Sequence, residues 1–480
     1  MKYTSFILKK MQKFPLFIID DSAILKTRYN NVASAQELTK KILLLTNSSA
    51  GNVDVSTTSL YHALKCFFDE DVRRLTVFVD SLVDSATSVL DQYKKEQHNA
   101  MFPLEPAHWT RSRSECRGLL ANAFLGNIGG DPVAVKKVRQ FRRGKTGLKF
   151  YDIMSEDGSK YSQISSQKIL CLIQYFQSTE RPAEDMLEEN KDVVFDRINV
   201  SMEKFLALPG WKQPKISNRI FADITTAPME TKDATSMVNF ANKLFGVGQF
   251  LGCCTQEEIL QMCCPEINVG MLVHGEMNED TVVVVRNAKR FSKYSGYLQT
   301  FRFEGREVDN FPPQTIIFMD ASITTCHGSQ FTLKSNLRDI RKAYLGFLGS
   351  AATSLQLSDP TFVTTPDFGS SCAVISTGQW GCGAFGGNQV LKCLQQMVAA
   401  SLLCDTNAQK LAVKLIFSSF RNASLQDLLR RVVALSEGLT PEQLLNHVLT
   451  KDELFRGNYQ ELFQTLADLN SVSHNQDIKC

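Results

Sequence analysis

The N-terminal part of the chain carries apolar residues at helical spacing. Residues that recur every three to four positions lie on one face of a helix and mark the side that packs against a core. This pattern predicts an α-helical bundle over about residues 36–125, with a further helix over 167–177. Its two clearest stripes are Val77, Phe78, Leu82, Val83, Ala86, Val89 and Leu90, and then Leu119, Leu120, Ala123 and Phe124.

After residue 215 the pattern changes to short apolar runs separated by helical segments. Strands alternating with helices predict an α/β domain with a mostly parallel or mixed sheet, covered by helices on both sides. In such sheets ligands bind at the C-terminal ends of the strands, where glycine-rich turns lead into helices. The strand candidates are 220–224, 281–285, 315–319, 372–375 and 411–417, and the helix candidates are 256–262, 337–347 and 389–403.

These changes of pattern predict four regions along the chain. They are an N-terminal arm at 1–35, an α-helical accessory domain at 36–210, an α/β domain at 211–470 and a polar tail at 471–480. A segment rich in glycine and basic residues, 126–149, interrupts the helical part. A chain of 480 residues has room for one large domain or two of ordinary size.

Composition excludes few function classes. The 53 basic and 50 acidic residues leave a net charge of +3, which demands neither a nucleic acid nor a membrane as partner. Thirteen cysteines are too few for a disulfide-dense scaffold and favour a reducing compartment. The first 19 residues carry lysines without an acid, as in a mitochondrial presequence, but they lack arginine. No apolar run approaches the ~20 residues needed to cross a bilayer.

Three motifs suggest other chemistry and are set aside. The segment 143–147 resembles a phosphate-binding P-loop, but Arg139 stands where that motif needs glycine. Cys253, Cys254, Cys263 and Cys264 do not have the ligand spacing of a zinc site, so buried thiols are favoured and no metal is predicted. The basic cluster can be a solvated loop, a nuclear-import signal or a landing surface for a polyanion. Its members are Lys136, Lys137, Arg139, Arg142, Arg143 and Lys145.

Paired acids follow the first glycine-rich segment. A loop that contains Gly246, Gly248 and Gly252 runs into a predicted helix whose first turn holds Glu257 and Glu258. Carboxylates at this position can be simple first-turn acids, because the helix dipole stabilises them. They can also be a catalytic pair, and periodicity alone does not decide between the two.

A second glycine-rich segment, 376–388, follows a strand and precedes a helix. It has five glycines in eleven residues, so its bare backbone N–H groups can converge on phosphate oxygens. The alternative is a tight strand-to-helix turn. Phe385 inside the segment favours a ligand, because an aromatic side chain in so polar a turn needs a planar partner or a core.

With these motifs, the chain resembles the poly(ADP-ribose) glycohydrolase family. The family's signature is a glycine-rich loop followed by Gln-Glu-Glu, found here over 246–258. Further segments of the family occur in the same order, and the resemblance covers roughly residues 115–445. They are Leu119-Leu-Ala-Asn-Ala-Phe, Tyr294-Ser-Gly-Tyr297, Lys342-Ala-Tyr-Leu-Gly-Phe347 and the second glycine-rich segment.

The resemblance implies a macrodomain-like mixed sheet sandwiched by helices, behind the helical accessory domain. It also implies hydrolysis of ribose–ribose bonds in poly(ADP-ribose), with Glu258 as acid and base. Glu257 would hold ribose hydroxyls, and Asn239 lies near the catalytic end. No cofactor is implied, and the partner is poly(ADP-ribose) on modified proteins. We expect a monomer in the nucleus or cytoplasm, with a mitochondrial location as the lesser option.

The resemblance also implies roles in binding one ADP-ribose unit. The diphosphate would lie against the two glycine loops, Glu230 would take the adenine amino group, and Phe417 or Phe420 would stack on adenine. Asn242 would position the ribose, and Tyr297 would close over the ligand. The predicted binding residues are Met229, Glu230, Asn242, Gly246, Gly248, Gln256, Tyr294, Tyr297, Gln379, Gly381, Cys382, Gly383, Ala384, Phe385, Gly386 and Phe417.

Two departures from the family's pattern leave alternatives open. The family's first loop has three consecutive glycines, but the middle position here is Val247, whose branched Cβ resists positive φ. Position 239 is often an acid in relatives and is asparagine here. A catalytically weak or inactive reader of ADP-ribose is therefore the second hypothesis. A structural subunit that docks through its helical part is the third.

Overall fold

The structure, a computed structural model, describes most of the chain. The described residues are 13–15, 21–46, 54–95, 101–103, 105–128, 148, 150–156, 162–179, 191–212, 216–246, 254–308, 311–324, 326–352, 372–405 and 410–477. Gly248, Val247, Cys253, the motif at 143–147 and the basic cluster between 136 and 145 lie outside them.

Helices and strands alternate through the second half of the described chain. The α-helices are α1 Ser22–Tyr29, α2 Ala35–Thr46, α3 Ser59–Phe68, α4 Val72–Lys95, α5 Arg113–Phe124, α6 Tyr151–Met154, α7 Ser162–Ser178, α8 Met202–Leu206, α9 Gln256–Cys263, α10 Leu333–Ala351, α11 Gln389–Ser401, α12 Ala423–Leu435, α13 Pro441–Leu444 and α14 Gln460–Asp477. The strands are β1 Lys13–Pro15, β2 Met101–Pro103, β3 His108–Arg111, β4 Val193–Asn199, β5 Phe221–Thr225, β6 Ser236–Phe240, β7 Thr281–Ala288, β8 Ser292–Ser295, β9 Arg302–Arg306, β10 Gln314–Met319, β11 Ala373–Gly378, β12 Cys404–Asp405, β13 Lys410–Leu411 and β14 Val413–Ser418.

The chain divides into two compact units that alternate along the sequence. The first comprises 1–195, 244–276 and 287–313, and the second comprises 196–243, 277–286 and 314–480. The sequence pattern predicts contiguous domains, whereas two short segments from the second half of the chain belong to the first unit. One of these segments carries α9 and the other carries the hairpin of β8 and β9.

The first unit is built mainly from helices around an aromatic core. The Phe78 and Phe124 rings meet edge to face at 6.1 Å, and Phe124 contacts Phe176 of α7 at 5.5 Å. Gly118 lets α5 approach α4 closely, because a Cβ there would lie 2.7 Å from the carbonyl oxygen of Ser85. The helical stripes predicted at 77–90 and 119–124 therefore form this core, apart from Val77, which is exposed.

The second unit contains a large sheet with helices packed on it. Its strands are arranged in the order β4, β7, β10, β6, β11, β14 and β5. Only the part of β4 from residue 196 onward and the part of β7 up to residue 286 belong to this unit. The pairs β10–β6, β6–β11, β11–β14 and β14–β5 are all parallel. Helices α10, α11 and α12 contact the strands β10, β14 and β5 respectively. The predicted mixed sheet flanked by helices, with a helical N-terminal region, is confirmed.

The predicted elements of this sheet agree with the structure to within a few residues. All five strand candidates are strands, and all three helix candidates are helices. The sequence pattern did not predict β6, which lies between β10 and β11 in the parallel set. Its five residues include Asn239, and a polar residue in so short a segment hides the buried-strand pattern. No helix in the described part of the chain has the length and apolarity to span a membrane.

Candidate functional site

The paired acids lie in the first turn of α9, in the first unit. Glu258 reaches back to the residue before the helix: its Oε2 accepts hydrogen bonds from the backbone N–H of Thr255 at 2.7 Å and from the Thr255 hydroxyl at 2.5 Å. The bond from the Thr255 backbone N–H is the one that the third helical residue makes in a capping box. Both acids are nonetheless buried, at 6% exposure for Glu257 and 2% for Glu258. Ordinary first-turn acids are solvated, so burial points to a role beyond capping.

The remainder of α9 anchors this acidic turn in a core. Ile259, Met262 and Cys263 belong to a buried cluster that also contains Cys171 of α7 and Phe301. Glu257 accepts a hydrogen bond from Gln261, one turn along the helix, at 3.3 Å. The helix therefore cannot rotate without moving apolar side chains out of the core, which fixes the direction of both carboxylates.

The two predicted tyrosines lie on the hairpin of β8 and β9 in the same unit. Tyr294 packs against the cluster beneath α9, whereas Tyr297 is 38% exposed. The tip of the hairpin is tied to the residue before the acidic turn, because the N–H of Leu298 donates to the carbonyl of Cys254 at 2.8 Å. The structure thus brings Tyr294, Tyr297 and the acidic turn into one neighbourhood.

Gly246 closes the described part of the first glycine loop. It has φ of +72°, and a Cβ there would lie 2.6 Å from the side chain of Met271. Only glycine satisfies both conditions without strain. Its predicted partner Gly248 and the departure at Val247 lie outside the described residues.

In the second unit the predicted residues gather at one edge of the sheet. Because β10, β6, β11, β14 and β5 are parallel, their C-terminal ends share that edge. Asn239 is next to last in β6, with Asn242 two residues beyond the strand, and the second glycine loop follows β11. The segment after β5 is held there too, because the Ser376 hydroxyl donates to the carbonyl of Met229 at 2.6 Å. Glu230, the next residue, is half-buried.

Asn239 is the most unusual polar residue at this edge. Its side chain is fully buried, yet neither its Nδ2 nor its Oδ1 has a hydrogen-bond partner among the described residues. Leaving a buried amide unsatisfied costs about 1–3 kcal/mol, and native proteins rarely do so without a reason. A ligand hydroxyl, which both donates and accepts, would satisfy it.

The second glycine loop is fixed to the end of β10. The indole N–H of Trp380 donates to the carbonyl of Met319 at 3.0 Å, and the N–H of Thr324 donates to the carbonyl of Phe385 at 2.9 Å. Gly381 has φ of +75°, and a Cβ there would lie 2.5 Å from the Cβ of Ala321. Gly383, Ala384 and Gly386 are exposed at the top of the loop, while Cys382 and Phe385 are half-buried.

The two phenylalanines considered for adenine stacking differ in their exposure to solvent. Phe417 is fully buried within β14 and contacts Phe221, whereas Phe420 is 50% exposed just beyond the strand. Phe420 also has φ of +48°, a conformation that a bulky residue adopts only under constraint. Gln379 joins this region to the glycine loop, because its side-chain amide donates to the carbonyl of Ser419 at 2.8 Å.

A chain of buried ions beneath the glycine loop escaped the sequence analysis. Lys392 of α11 pairs with Asp339 of α10, which also pairs with Arg338 at 2.8 Å. The one available signal was the position of Lys392 on a helix whose other residues are apolar or uncharged. No group of three or more His, Cys, Asp or Glu side chains in the described ranges is arranged to hold a metal ion.

Comparisons with known proteins agree on one family. Residues 209–427 match a family model described as "Poly (ADP-ribose) glycohydrolase (PARG), Macro domain fold". The chain is 25% identical over 331 residues to poly(ADP-ribose) glycohydrolase 1 of Caenorhabditis elegans, covering 64% of this chain and 37% of that protein. It is 27% identical over 263 residues to poly(ADP-ribose) glycohydrolase 2 of the same organism, covering 49% and 50%.

A plant relative extends the comparison. The chain is 27% identical over 302 residues to poly(ADP-ribose) glycohydrolase 1 of Arabidopsis thaliana, covering 50% of this chain and 53% of that protein. These matches thus span about half or less of the relatives' own length. The matched segment includes the acidic turn, the second glycine loop and the sheet edge described above. Residues 209–427 of this chain are therefore similar to the poly(ADP-ribose) glycohydrolase family and match a model of its macro domain fold.

Proposed function

We propose that the chain hydrolyses the ribose–ribose O-glycosidic bonds of poly(ADP-ribose) and releases ADP-ribose. The observation that carries this proposal is the buried acid Glu258, whose Oε2 is held by two hydrogen bonds from Thr255. A general acid must keep one orientation toward the leaving oxygen, and these bonds supply that orientation. The similarity to three proteins named poly(ADP-ribose) glycohydrolase supports the choice of substrate.

The proposed reaction uses Glu258 twice. Its carboxyl group first gives a proton to the glycosidic oxygen as the bond from that oxygen to the anomeric carbon breaks. The ribose then carries the positive charge of an oxocarbenium-like species. The carboxylate next removes a proton from the attacking water, which forms the new bond to the anomeric carbon and regenerates the acid. Glu257, held by Gln261, binds ribose hydroxyls.

In the second unit, the second glycine loop and the sheet edge would bind ADP-ribose. The backbone N–H groups of the loop over 381–387 would hold the diphosphate, with Phe385 against the ribose and phosphates. We assign adenine stacking to Phe420, because it is exposed at the sheet edge while Phe417 lies inside the sheet. Glu230 takes the adenine amino group. Asn239 would satisfy its buried amide with a ribose hydroxyl.

A reader of ADP-ribose without turnover is the second candidate. The observation that favours it is the carboxamide of Asn239, which can hold a hydroxyl but cannot take a proton as a carboxylate does. Both candidates need the same binding residues, so binding alone does not separate them. The nuclear or cytoplasmic location, the monomeric state and the lack of direct nucleic-acid or membrane contact remain predictions from the sequence.

The decisive experiment measures release and binding in parallel. Purified full-length chain is incubated with labelled poly(ADP-ribose), and released ADP-ribose is followed over time, while calorimetry gives the Kd for ADP-ribose. Release by the wild type supports the glycohydrolase. Binding without release supports the reader, and the absence of both contradicts the proposed function.

The variant Asn239→Asp tests whether the asparagine limits turnover. The two side chains have nearly the same size, so the variant introduces a carboxyl group at position 239 with little change in packing. We expect turnover to rise several-fold if position 239 assists the chemistry. An unchanged rate would confine Asn239 to holding a hydroxyl.

A further inference from the structure

The second glycine loop lacks the cations that usually accompany a diphosphate. Residues 378–388 contain no lysine or arginine. Protein sites for phosphate commonly combine backbone N–H groups with Arg or Lys, because the charge of the ligand must be balanced. In this loop the balancing charge has to come from outside the glycine segment.

Lys392 lies directly beneath that loop. Its side chain is 1% exposed, and its ammonium group lies 4.9 Å from the centroid of the Trp380 ring. Its Cε lies 3.0 Å from where a Cβ on Gly387 would stand and 3.5 Å from one on Gly381. The methylene chain of Lys392 thus packs closely against both Gly381 and Gly387. A side chain on either glycine would meet it.

The charge of Lys392 is only partly neutralised by its partner. Lys392 pairs with Asp339, but that same carboxylate accepts from Arg338 at 2.8 Å. It also accepts from the backbone N–H and the hydroxyl of Ser322, at 3.0 Å and 2.9 Å. One carboxylate is therefore shared by two cations and two neutral donors. The loop end of this ion chain has an excess of positive charge.

The far end of the ion chain is balanced differently. Arg338 also pairs with Asp320, which accepts from Lys342 at 2.6 Å. Lys342 donates in addition to the carbonyl of Thr281 at 2.6 Å. Burial lowers the pKa of Lys342 to about 8, although Asp320 and the half-buried Asp280 favour its charged form. Two carboxylates thus act on Lys342, whereas Lys392 pairs with Asp339, which it shares with Arg338.

The positive charge of Lys392 acts on a residue of the loop, Cys382. Burial raises the pKa of the Cys382 thiol to about 12, and the Lys392 ammonium group opposes that rise by favouring the thiolate. Cys382 is half-buried and lies between Gly381 and the exposed Gly383. An anion bound at this turn would experience the same attraction.

We propose that Lys392 is the buried counter-charge and the positioning residue for the diphosphate of the ADP-ribose unit. This inference rests on the proposed function, because it concerns the same binding loop. Lys392 stabilises the bound phosphates from below the loop without a direct hydrogen bond, and its methylene chain holds Gly381 and Gly387 in place. The ligand class is a nucleoside diphosphate, recognised by backbone N–H groups over a buried cation.

The test compares Lys392→Met with Lys342→Met. Both variants remove one buried ammonium group from the same ion chain, and only the first lies under the loop. Each protein is titrated with ADP-ribose and with adenosine, which has no phosphate. We expect Lys392→Met to weaken ADP-ribose binding by about tenfold or more and adenosine binding by less than about twofold. Lys342→Met should change both affinities by less than about threefold.

Two further measurements keep the test decisive if Lys392→Met folds poorly. The double variant Lys392→Met/Asp339→Asn removes the pair together, leaves no unpaired carboxylate, and should show the same selective loss. In the wild type, ADP-ribose affinity should change by less than about threefold between 50 and 500 mM NaCl, because a buried charge is little screened. A fall of more than about tenfold would show that exposed cations supply the charge.

The outcomes separate this inference from the proposed function. If the wild type binds ADP-ribose and Lys392→Met loses both ligands equally, or neither, the inference is wrong while the proposed function stands. If the wild type does not bind ADP-ribose, the proposed function fails and the inference fails with it.

Discussion

The acidic turn and the second glycine loop are held in place by different kinds of contact. In the acidic turn, Glu258 is fixed by a residue three positions earlier and Glu257 by one four positions later. In the glycine loop, Trp380 bonds to a carbonyl 61 positions away, and Phe385 is bonded by Thr324 of the segment after β10. The first site is local in sequence, whereas the second depends on the assembled sheet.

This difference separates two functions that the chemistry needs. The bonds from Thr255 orient the Glu258 carboxylate through neighbours in sequence, and the packing of α9 in its core fixes the helix that carries it. A glycine loop presents N–H groups only when distant strands and helices support it. Substitutions in the acidic turn should therefore act on turnover, and those in or under the loop should act on binding.

The largest expected effect is that of Glu258→Gln on turnover. The amide oxygen of glutamine can still accept the bonds from Thr255, but the side chain cannot donate the acid's proton. We expect kcat to fall by about 10²–10⁴-fold while the Kd for ADP-ribose changes little. Kinetics with labelled polymer and calorimetry with ADP-ribose measure the two quantities. Turnover at the wild-type rate would remove Glu258 from the chemistry.

The second effect concerns two buried acids whose pKa values are shifted in opposite directions. Glu266 is fully buried and pairs with Arg113, yet burial outweighs that charge and raises the pKa of Glu266 to about 7. Burial also acts to raise the pKa of Asp339, but Lys392 and Arg338 together lower it below its usual value. Arg113 and Lys289 do not compensate for the burial of Glu266, whereas Lys392 and Arg338 outweigh the burial of Asp339.

The pH dependence of stability follows from that difference. Between pH 4.5, the ordinary pKa of a glutamate, and about 7, folded Glu266 binds more protons than the unfolded chain, so stability falls as pH rises through this window. The loss is at most about 3 kcal/mol and ends above pH 7. Urea unfolding of the wild type and Glu266→Gln from pH 5 to 8 measures it. A wild-type slope equal to that of the variant would contradict the raised pKa.

A smaller effect is expected from Gly381→Ala, with Gly383→Ala as its matched control. Alanine at 381 must adopt a positive φ and meet Ala321, so we expect a loss of about 2 kcal/mol in unfolding free energy and roughly tenfold weaker ADP-ribose binding. At Gly383 nothing lies within 4 Å of the new Cβ, and the change should stay below about 0.5 kcal/mol. Equal effects at both positions would show that the loop does not depend on its support from β10.

The same contrast explains how far the sequence could be interpreted. The helix start at Gln256 and the strand before the glycine loop were both predicted, because each depends on neighbours within a few positions. The buried partner of Lys392 lies 53 positions away on another helix. No local pattern relates two such residues, so the ion chain required the fold.

The adenine-stacking residue illustrates the same limit. Phe417 and Phe420 lie three positions apart at the end of one strand, and the sequence left both open. The choice depends on where β14 ends, and strand ends are set by hydrogen bonding to neighbouring strands. With β14 ending at Ser418, Phe417 lies inside the sheet and Phe420 beyond it.

The smallest predicted effect tests whether the hydrogen bonds from Thr255 orient Glu258 for turnover alone. Thr255→Val removes the hydroxyl that donates to Glu258 at 2.5 Å and keeps the backbone N–H that donates at 2.7 Å. Valine has nearly the same shape, so packing is preserved and the change isolates one hydrogen bond. We expect a loss of about 1 kcal/mol in unfolding free energy, the usual value of an N-cap side chain. Urea denaturation measures it.

That variant should lower kcat and leave binding unchanged. With one of its two bonds gone, the Glu258 carboxylate has more freedom to rotate, and a fall in kcat of about tenfold or less follows from imperfect orientation. The control variant Thr255→Ser keeps the hydroxyl and should turn over at the wild-type rate. If Thr255→Val instead weakened ADP-ribose binding as much as Gly381→Ala does, the acidic turn would serve ligand binding too. The separation of turnover from binding between the two regions would then be wrong.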